Sequence, residues 1–353
     1  ALLHTAVYTH GHVDHAFGLR AFLEAGERPN IVAQANLPAR FRRYALTHGL
    51  NLAINQRQFS RPNISFPNEF DHPTLTFRDS LVQRIGKTEV VYTAAKGETD
   101  DHCYLWLPEK RYLFTGDLVI WHAPNCGNPQ KVQRYPVEWA EALEAMAALE
   151  PEWLFPGHGL VIEGRGAVRK LLTETAAYLR HIIEQVLTRM NAGENPEDIF
   201  HAVEAHPELS TRPYLSARYD HPKFIVRNLL RLWGGWWNGN AADLLPATPS
   251  EQAGEIAALA GGIEAVVARG RSLLEAGNAK MASHLAEWAT RAESGKESAQ
   301  ALKRDVYERR LAEAGGTMEQ GIYRSAMNEA RAALGEEPVF PEGRAGFGSQ
   351  EEE

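Results

Sequence analysis

Six consecutive residues constrain this chain more than any other feature. His10-Gly11-His12-Val13-Asp14-His15 puts three imidazoles and a carboxylate into one short segment. The segment directly follows Thr5-Ala6-Val7-Tyr8, an apolar run with strand character, and precedes the apolar helix start Ala16-Phe17-Gly18-Leu19. A loop at a strand end can point alternate side chains into one cavity. Imidazole and carboxylate are suitable ligands for zinc and similar borderline metals. A His-rich tag would share the composition, but it would not be embedded between a strand and a helix.

The first half alternates short apolar runs with helical stretches, which is an α/β pattern. Ile31-Val32-Ala33 and Glu89-Val90-Val91-Tyr92 resemble the opening run. Cys103 to Leu107 and Tyr112 to Thr115 read as a hairpin, with turn chemistry supplied by Pro108-Glu109-Lys110. In the second half, Leu171, Leu172, Leu179, Ile182, Ile183, Val186, Leu187 and Met190 follow a helical spacing that Asn191-Ala192-Gly193 ends. Further helical patterns are expected near Phe224–Trp233, Glu255–Leu274, Ala279–Ser294, Ser298–Ala314 and Glu319–Leu334, with Gly270 and Gly277 as breaks or caps. The Gly-rich acidic end, Glu342 to Glu353, has the composition of a disordered segment.

A length of 353 residues suits two domains or one large one, and 44% apolar with 23% charged residues fits a globular protein. The net charge of −8, with no basic block to offset it, argues against a nucleic-acid partner. No apolar run reaches about eighteen residues, so no membrane span is expected. Cys103 and Cys126 are the only cysteines and do not make a disulfide framework. The opening Leu2-Leu3-His4 reads as the inside of a strand, so the natural N-terminus is expected to lie upstream. The compartment therefore stays open between cytoplasm and periplasm.

Three later turns follow the first motif in order: Gly97-Glu98-Thr99, Thr115-Gly116-Asp117 and Pro156-Gly157-His158-Gly159. Together with His-x-His-x-Asp-His, they resemble the signature of the metallo-β-lactamase superfamily. One position departs, because Glu98 stands where most of that family has His. This resembles the alkylsulfatase branch, where acidic residues hold corresponding positions. Asp100, Asp101 and His102 lie close enough in sequence to substitute for Glu98. A second resemblance supports the branch: Trp233-Gly234-Gly235-Trp236-Trp237-Asn238-Gly239-Asn240, then Asp243-Leu244-Leu245-Pro246, looks like the start of the alkylsulfatase dimerisation domain.

The resemblance implies an αββα sandwich, truncated at its N-terminus, over residues 1–166. A helical dimerisation domain follows over 167–335, and then a tail over 336–353 that is expected to be disordered. It implies that His10, His12 and Glu98 hold one zinc ion, that Asp14, His15 and His158 hold a second, and that Asp117 bridges them. Asp14 and Asp117 are the candidate catalytic carboxylates. Asn55, Arg57 and Arg134 are candidate substrate contacts, because Arg suits bidentate oxyanion recognition. His72, His102 and His122 have no comparable placement and read as structural. The expected function is sulfate-ester hydrolysis by a homodimer acting on a small anionic substrate. The alternatives are hydrolysis of a phosphate ester, thioester or lactone on the same fold, or a non-catalytic metal-binding scaffold.

Overall fold

The structure is a computed structural model that describes residues 2–341. It divides into two units, Ala1–Asn51 with Phe66–Gly239, and Leu52–Ser65 with Asn240–Glu353.

The first unit is layered. The opening run forms β1 (Thr5–Val7), parallel to β2 (Asn30–Gln34), which is parallel in turn to β3 (Leu75–Phe77). Parallel neighbours need crossover connections. Helices α1 (Val13–Ala16) and α2 (Arg20–Glu24) lie in the first connection, and α3 (Leu37–Leu46) and α4 (His48–Phe59) in the second. Ala16, Leu19, Leu37 and Phe41 pack on Tyr8, Ile31 and Ala33 of this sheet.

A second sheet holds six strands in sequence order: β4 (Ser80–Ile85), β5 (Thr88–Ala94), β6 (Cys103–Leu107), β7 (Tyr112–Gly116), β8 (Trp153–Pro156) and β9 (Ile162–Glu163). Only β7 and β8 pair in parallel, and α5 (Pro136–Ala148) lies in their connection. Side chains of a strand alternate between faces, which decides what each residue touches. Val90 and Tyr92 of β5, with Cys103, Leu105 and Leu107 of β6, meet Val32 and Phe77 of the first sheet. Val91, Tyr104 and Trp106 face the opposite way, toward α5, α6 (Arg165–Asn191) and α8 (Pro222–Gly234). There Trp139, Leu143, Leu172, Leu179 and Leu229 are fully buried. Burial of each such leucine contributes about 1.5–3 kcal/mol. The layers are those of an αββα sandwich.

Helix α6 runs as its apolar spacing predicts, and Gly193 follows it at φ +76°. With α7 (Pro196–Ala202) and α8 it belongs to the first unit, although the sequence reading places these helices in the helical domain.

The second unit contains α9 (Pro249–Leu259), α10 (Ile263–Glu275), α11 (Ala279–Ala292), α12 (Glu297–Glu313) and α13 (Thr317–Ala333). Thr248 and Glu251 form a reciprocal capping box at the start of α9. The Glu255–Leu274 pattern is two helices rather than one, because Gly261 and Gly262 take φ values of +88° and +117° between them. Gly270 does not break α10. It is buried, and a Cβ there would lie 2.5 Å from Leu302 Cδ2, so the glycine lets α10 and α12 approach. Gly277 does end α10, at φ +79°. The stretch from Gly49 to Phe59, which carries the candidate substrate contacts Asn55 and Arg57, is helical. In its second-unit portion, the Gln58 carbonyl closes on Gly321, where a Cβ would lie 2.4 Å from that oxygen. The expected tail is ordered over its described part. Glu336 pairs with Arg304 and Arg331, and Val339 bonds through its backbone to Asn328. Residues 342–353, also expected to be disordered, lie outside the described residues.

Candidate metal centre

Each element of the sandwich delivers one part of the site at a strand end. β1 leads into His10 and His12, and α1 carries Asp14 and His15. Glu98 follows β5, Asp117 follows β7 and His158 follows β8. Two glycines make the geometry feasible. Gly116 takes φ +50°, a left-handed conformation that turns the chain sharply before Asp117. Gly157 passes so close to Asp117 that a Cβ would lie 2.2 Å from Oδ1.

The seven sequence candidates fall into two groups. His10, His12, Glu98 and Asp117 form one, and Asp14, His15 and His158 form the other; within each group the ligand atoms lie within 4.8 Å of one another. Asp117 faces both. Its Oδ2 is 3.6 Å from His10 Nε2, while its Oδ1 is 3.1 Å from His15 Nε2 and 3.4 Å from His158 Nε2. His10 Nε2 and His12 Nδ1 are 2.8 Å apart. His158 Nε2 lies 3.3 Å from both His15 Nε2 and Asp14 Oδ2.

The electrostatics differ from one candidate ligand to the next. Burial holds His10 and His12 well below the ordinary histidine range, so both are neutral and their lone pairs are available. Burial also pushes the Glu98 carboxyl up to about 8; Arg134 pulls it down and Asp117 pushes it further up. Asp117 goes the other way. Burial opposes its ionisation, but His15, His158 and His12 outweigh that and hold it below the usual carboxylate range. His158 is raised to about 9, chiefly by its hydrogen bond to Asp14. Glu98 Oε2 is buried and accepts no hydrogen bond. Such an orphan oxygen among neutral imidazoles is costly on its own. The donor set fits a divalent cation.

Residues of the neighbouring segments hold these groups in place. Asp101 Oδ2 accepts the Gly11 N–H at 2.8 Å, and its Oδ1 accepts Arg40 Nε at 2.5 Å. Arg40 also pairs with Asp100. His102 stacks on His10 with 4.7 Å between ring centroids, and its Nε2 accepts the Asp117 N–H at 3.1 Å. None of these three acidic or imidazole groups replaces Glu98; they support its neighbours. The sequence reading missed His102 as a support. Its only signal was proximity to Glu98 in Asp100-Asp101-His102. Arg134, expected to contact substrate, is 3% exposed, and its Nη1 bonds to Glu98 Oε1 and to the Asn125 carbonyl. That guanidinium is turned to Glu98 and is not open to solvent. Asn55 and Arg57 lie on α4, in the stretch grouped with the second unit, and Asn55 is buried.

Residues 3–158 match the description "Metallo-beta-lactamase superfamily", and residues 195–333 match "Alkyl sulfatase dimerisation". The chain joins a metallo-β-lactamase domain to an alkylsulfatase dimerisation domain. The chain is 28% identical over 329 residues to a linear primary-alkylsulfatase of a Pseudomonas strain, which covers 86% of this chain and 62% of that protein. It is 23% identical over 296 residues to the alkyl/aryl-sulfatase BDS1 of Saccharomyces cerevisiae, covering 75% of this chain and 45% of that protein. It therefore spans roughly half to three-fifths of the length of these relatives. The fold is that of the stereoselective inverting sec-alkylsulfatase Pisa1 from Pseudomonas sp., with a TM-score of 0.83 at 21% identity, over 93% of this chain and 57% of that one. Among the described residues, no helix is long and apolar enough to cross a membrane.

Proposed function

We propose that this chain hydrolyses sulfate esters at two zinc ions. The observation that carries the proposal is the pair of donor groups with Asp117 facing both. The relatives named as alkylsulfatases support sulfate as the ester class. His10, His12 and Glu98 would hold one ion and Asp14, His15 and His158 the other, with Asp117 beside both groups. When bound, the ions supply Lewis acidity that lowers the pKa of water and offsets charge on the ester.

The chain's own residues do the rest. His10 and His12 are kept neutral by burial and are ready to ligate. After burial, His12 is also lowered by Arg134 and Arg40, raised by Asp117 and lowered by Lys131. Asp14 has a side chain 54% exposed, beside His158, and is the carboxylate placed to accept the proton released by water. Asp117 is nearly buried and anchors the ligands on either side. The chain acts as a homodimer assembled through its helical domain.

The test is a hydrolysis screen of zinc-loaded protein against alkyl sulfates, aryl sulfates, phosphodiesters and lactones. Turnover of a sulfate ester above the other classes is expected. Turnover of a lactone or phosphodiester with sulfates untouched would overturn the reading.

A further inference from the structure

A carboxylate at position 98 creates an electrostatic difficulty. The first donor group places two carboxylates, Glu98 and Asp117, in one metal-sized cluster, where like charges repel. Glu98 is also 4% exposed, so water contributes little to stabilising its charge. A built structure answers this. The buried guanidinium of Arg134 bonds to Glu98 Oε1, and the buried Asn125 amide donates to the same oxygen at 2.5 Å. Arg134 also donates to the backbone carbonyl of Asn125, which ties the two partners together. Both polar groups converge on Oε1, and Oε2 is left buried without a hydrogen bond.

The arginine is itself held from a distance. Asn228, buried on α8, grips the Arg134 backbone from both sides: its Oδ1 accepts the Arg134 N–H at 3.3 Å, and its Nδ2 donates to the Arg134 carbonyl at 2.9 Å. The Tyr135 N–H then bonds to the Gly97 carbonyl at 3.0 Å, fixing the segment against the residue before Glu98. A surface arginine passing by chance would show none of this support.

We propose that Arg134 is a positioning residue that, with Asn125, neutralises Glu98 and holds its carboxylate toward the first metal ion, with Glu98 Oε1 lying 3.8 Å from His12 Nδ1. The inference rests on the reading of Glu98 as a ligand. In this arrangement the arginine cancels the charge that a carboxylate adds relative to a neutral imidazole. Position 98 and position 134 are then coupled: a neutral ligand at 98 needs no cation at 134, and a cation left there repels the ion.

The experiment measures zinc stoichiometry by elemental analysis and zinc affinity by competition with a chromophoric chelator. Four variants are compared: Glu98→Gln, Arg134→Met, Glu98→His and the double variant Glu98→His/Arg134→Met. Circular dichroism checks that each folds. Arg134→Met should weaken one of the two ions by about 10- to 100-fold, the range for losing a partner that orients a ligand. Glu98→His alone should also lose that ion, and the double variant should regain it. If Arg134→Met does not fold, the comparison of Glu98→His with the double variant decides, because the double variant leaves no buried unpaired charge. Parent affinity for both ions in Arg134→Met, or no recovery in the double variant, overturns the proposal. Two tightly held ions in Glu98→Gln would remove its basis by showing that Glu98 is no ligand. The substrate screen reads none of these quantities, so failure there is distinguishable.

Discussion

Asp101 offers the sharpest test of how the His-rich loop is held. Replacing it with alanine removes two acceptors at once. The Gly11 N–H, between His10 and His12, is buried and loses its 2.8 Å partner. A buried donor left unsatisfied costs about 1–3 kcal/mol. Arg40 is buried too and loses its closest enclosed counter-charge, keeping only the more exposed Asp100. Removing one partner of a buried pair costs about 3–5 kcal/mol. The two losses share one side chain and do not simply add, so the expected destabilisation is about 3–5 kcal/mol. Asp101→Asn keeps an acceptor for Gly11 and loses only the charge, so it should cost roughly 1.5–3 kcal/mol, the range for a charged hydrogen bond. The assay is urea unfolding of the metal-free protein with linear extrapolation, which keeps metal binding out of the result. The double variant Arg40→Leu/Asp101→Leu should be less destabilised than Asp101→Ala, because no buried charge is left alone. A loss below about 1 kcal/mol in Asp101→Ala would refute the argument that this pair holds the loop.

Four further outcomes are expected. Gly157→Ala drives a Cβ to within 2.2 Å of Asp117 Oδ1, so Asp117 must move; elemental analysis should find fewer than two ions with the circular dichroism spectrum retained, and two tightly bound ions would contradict it. In the metal-free protein Glu98 is raised from 4.5 to about 8 by burial, and His158 from 6.5 to about 9 by Asp14, so both carry protons at neutral pH that an ion must displace. Zinc affinity should therefore rise with pH up to that range, with proton release visible by calorimetry in buffers of different ionisation enthalpy; a flat profile would refute this. The same shifts have a stability sign. Glu98 keeps a proton in the fold that the unfolded chain gives up, so metal-free stability falls as pH rises from 4.5 through about 8, and the His158 contribution is full below 6.5 and lost through about 9. Trp236 and Leu245 are largely exposed apolar side chains, and light scattering at micromolar concentration should give twice the 39.3 kDa chain mass; a persistent monomer would end the homodimer reading.

The sequence by itself determined the His-rich motif after the first strand and the order of the candidate ligands along the chain. His10, His12, Asp14 and His15 sit within one local segment, and the apolar runs Glu89–Tyr92 and Cys103–Leu107 read as strands. These are short-range properties, set by side-chain type and by the period of the backbone. Helix α6 was legible for the same reason, because its apolar stripe is continuous. The tertiary structure decided what each buried charge meets. Arg134 read as a substrate contact because a cation after Asp117 suits an oxyanion; only the fold shows that it turns to Glu98 and is gripped by Asn228. His102 read as structural, and only packing places its ring against His10 and under the Asp117 N–H. Gly270 read as a break, and only the approach of Leu302 shows why a helix interior needs no side chain there. Local pattern fixes conformation over a few turns, but a buried charge or a close contact takes its partner from wherever packing brings one, and sequence distance does not encode that.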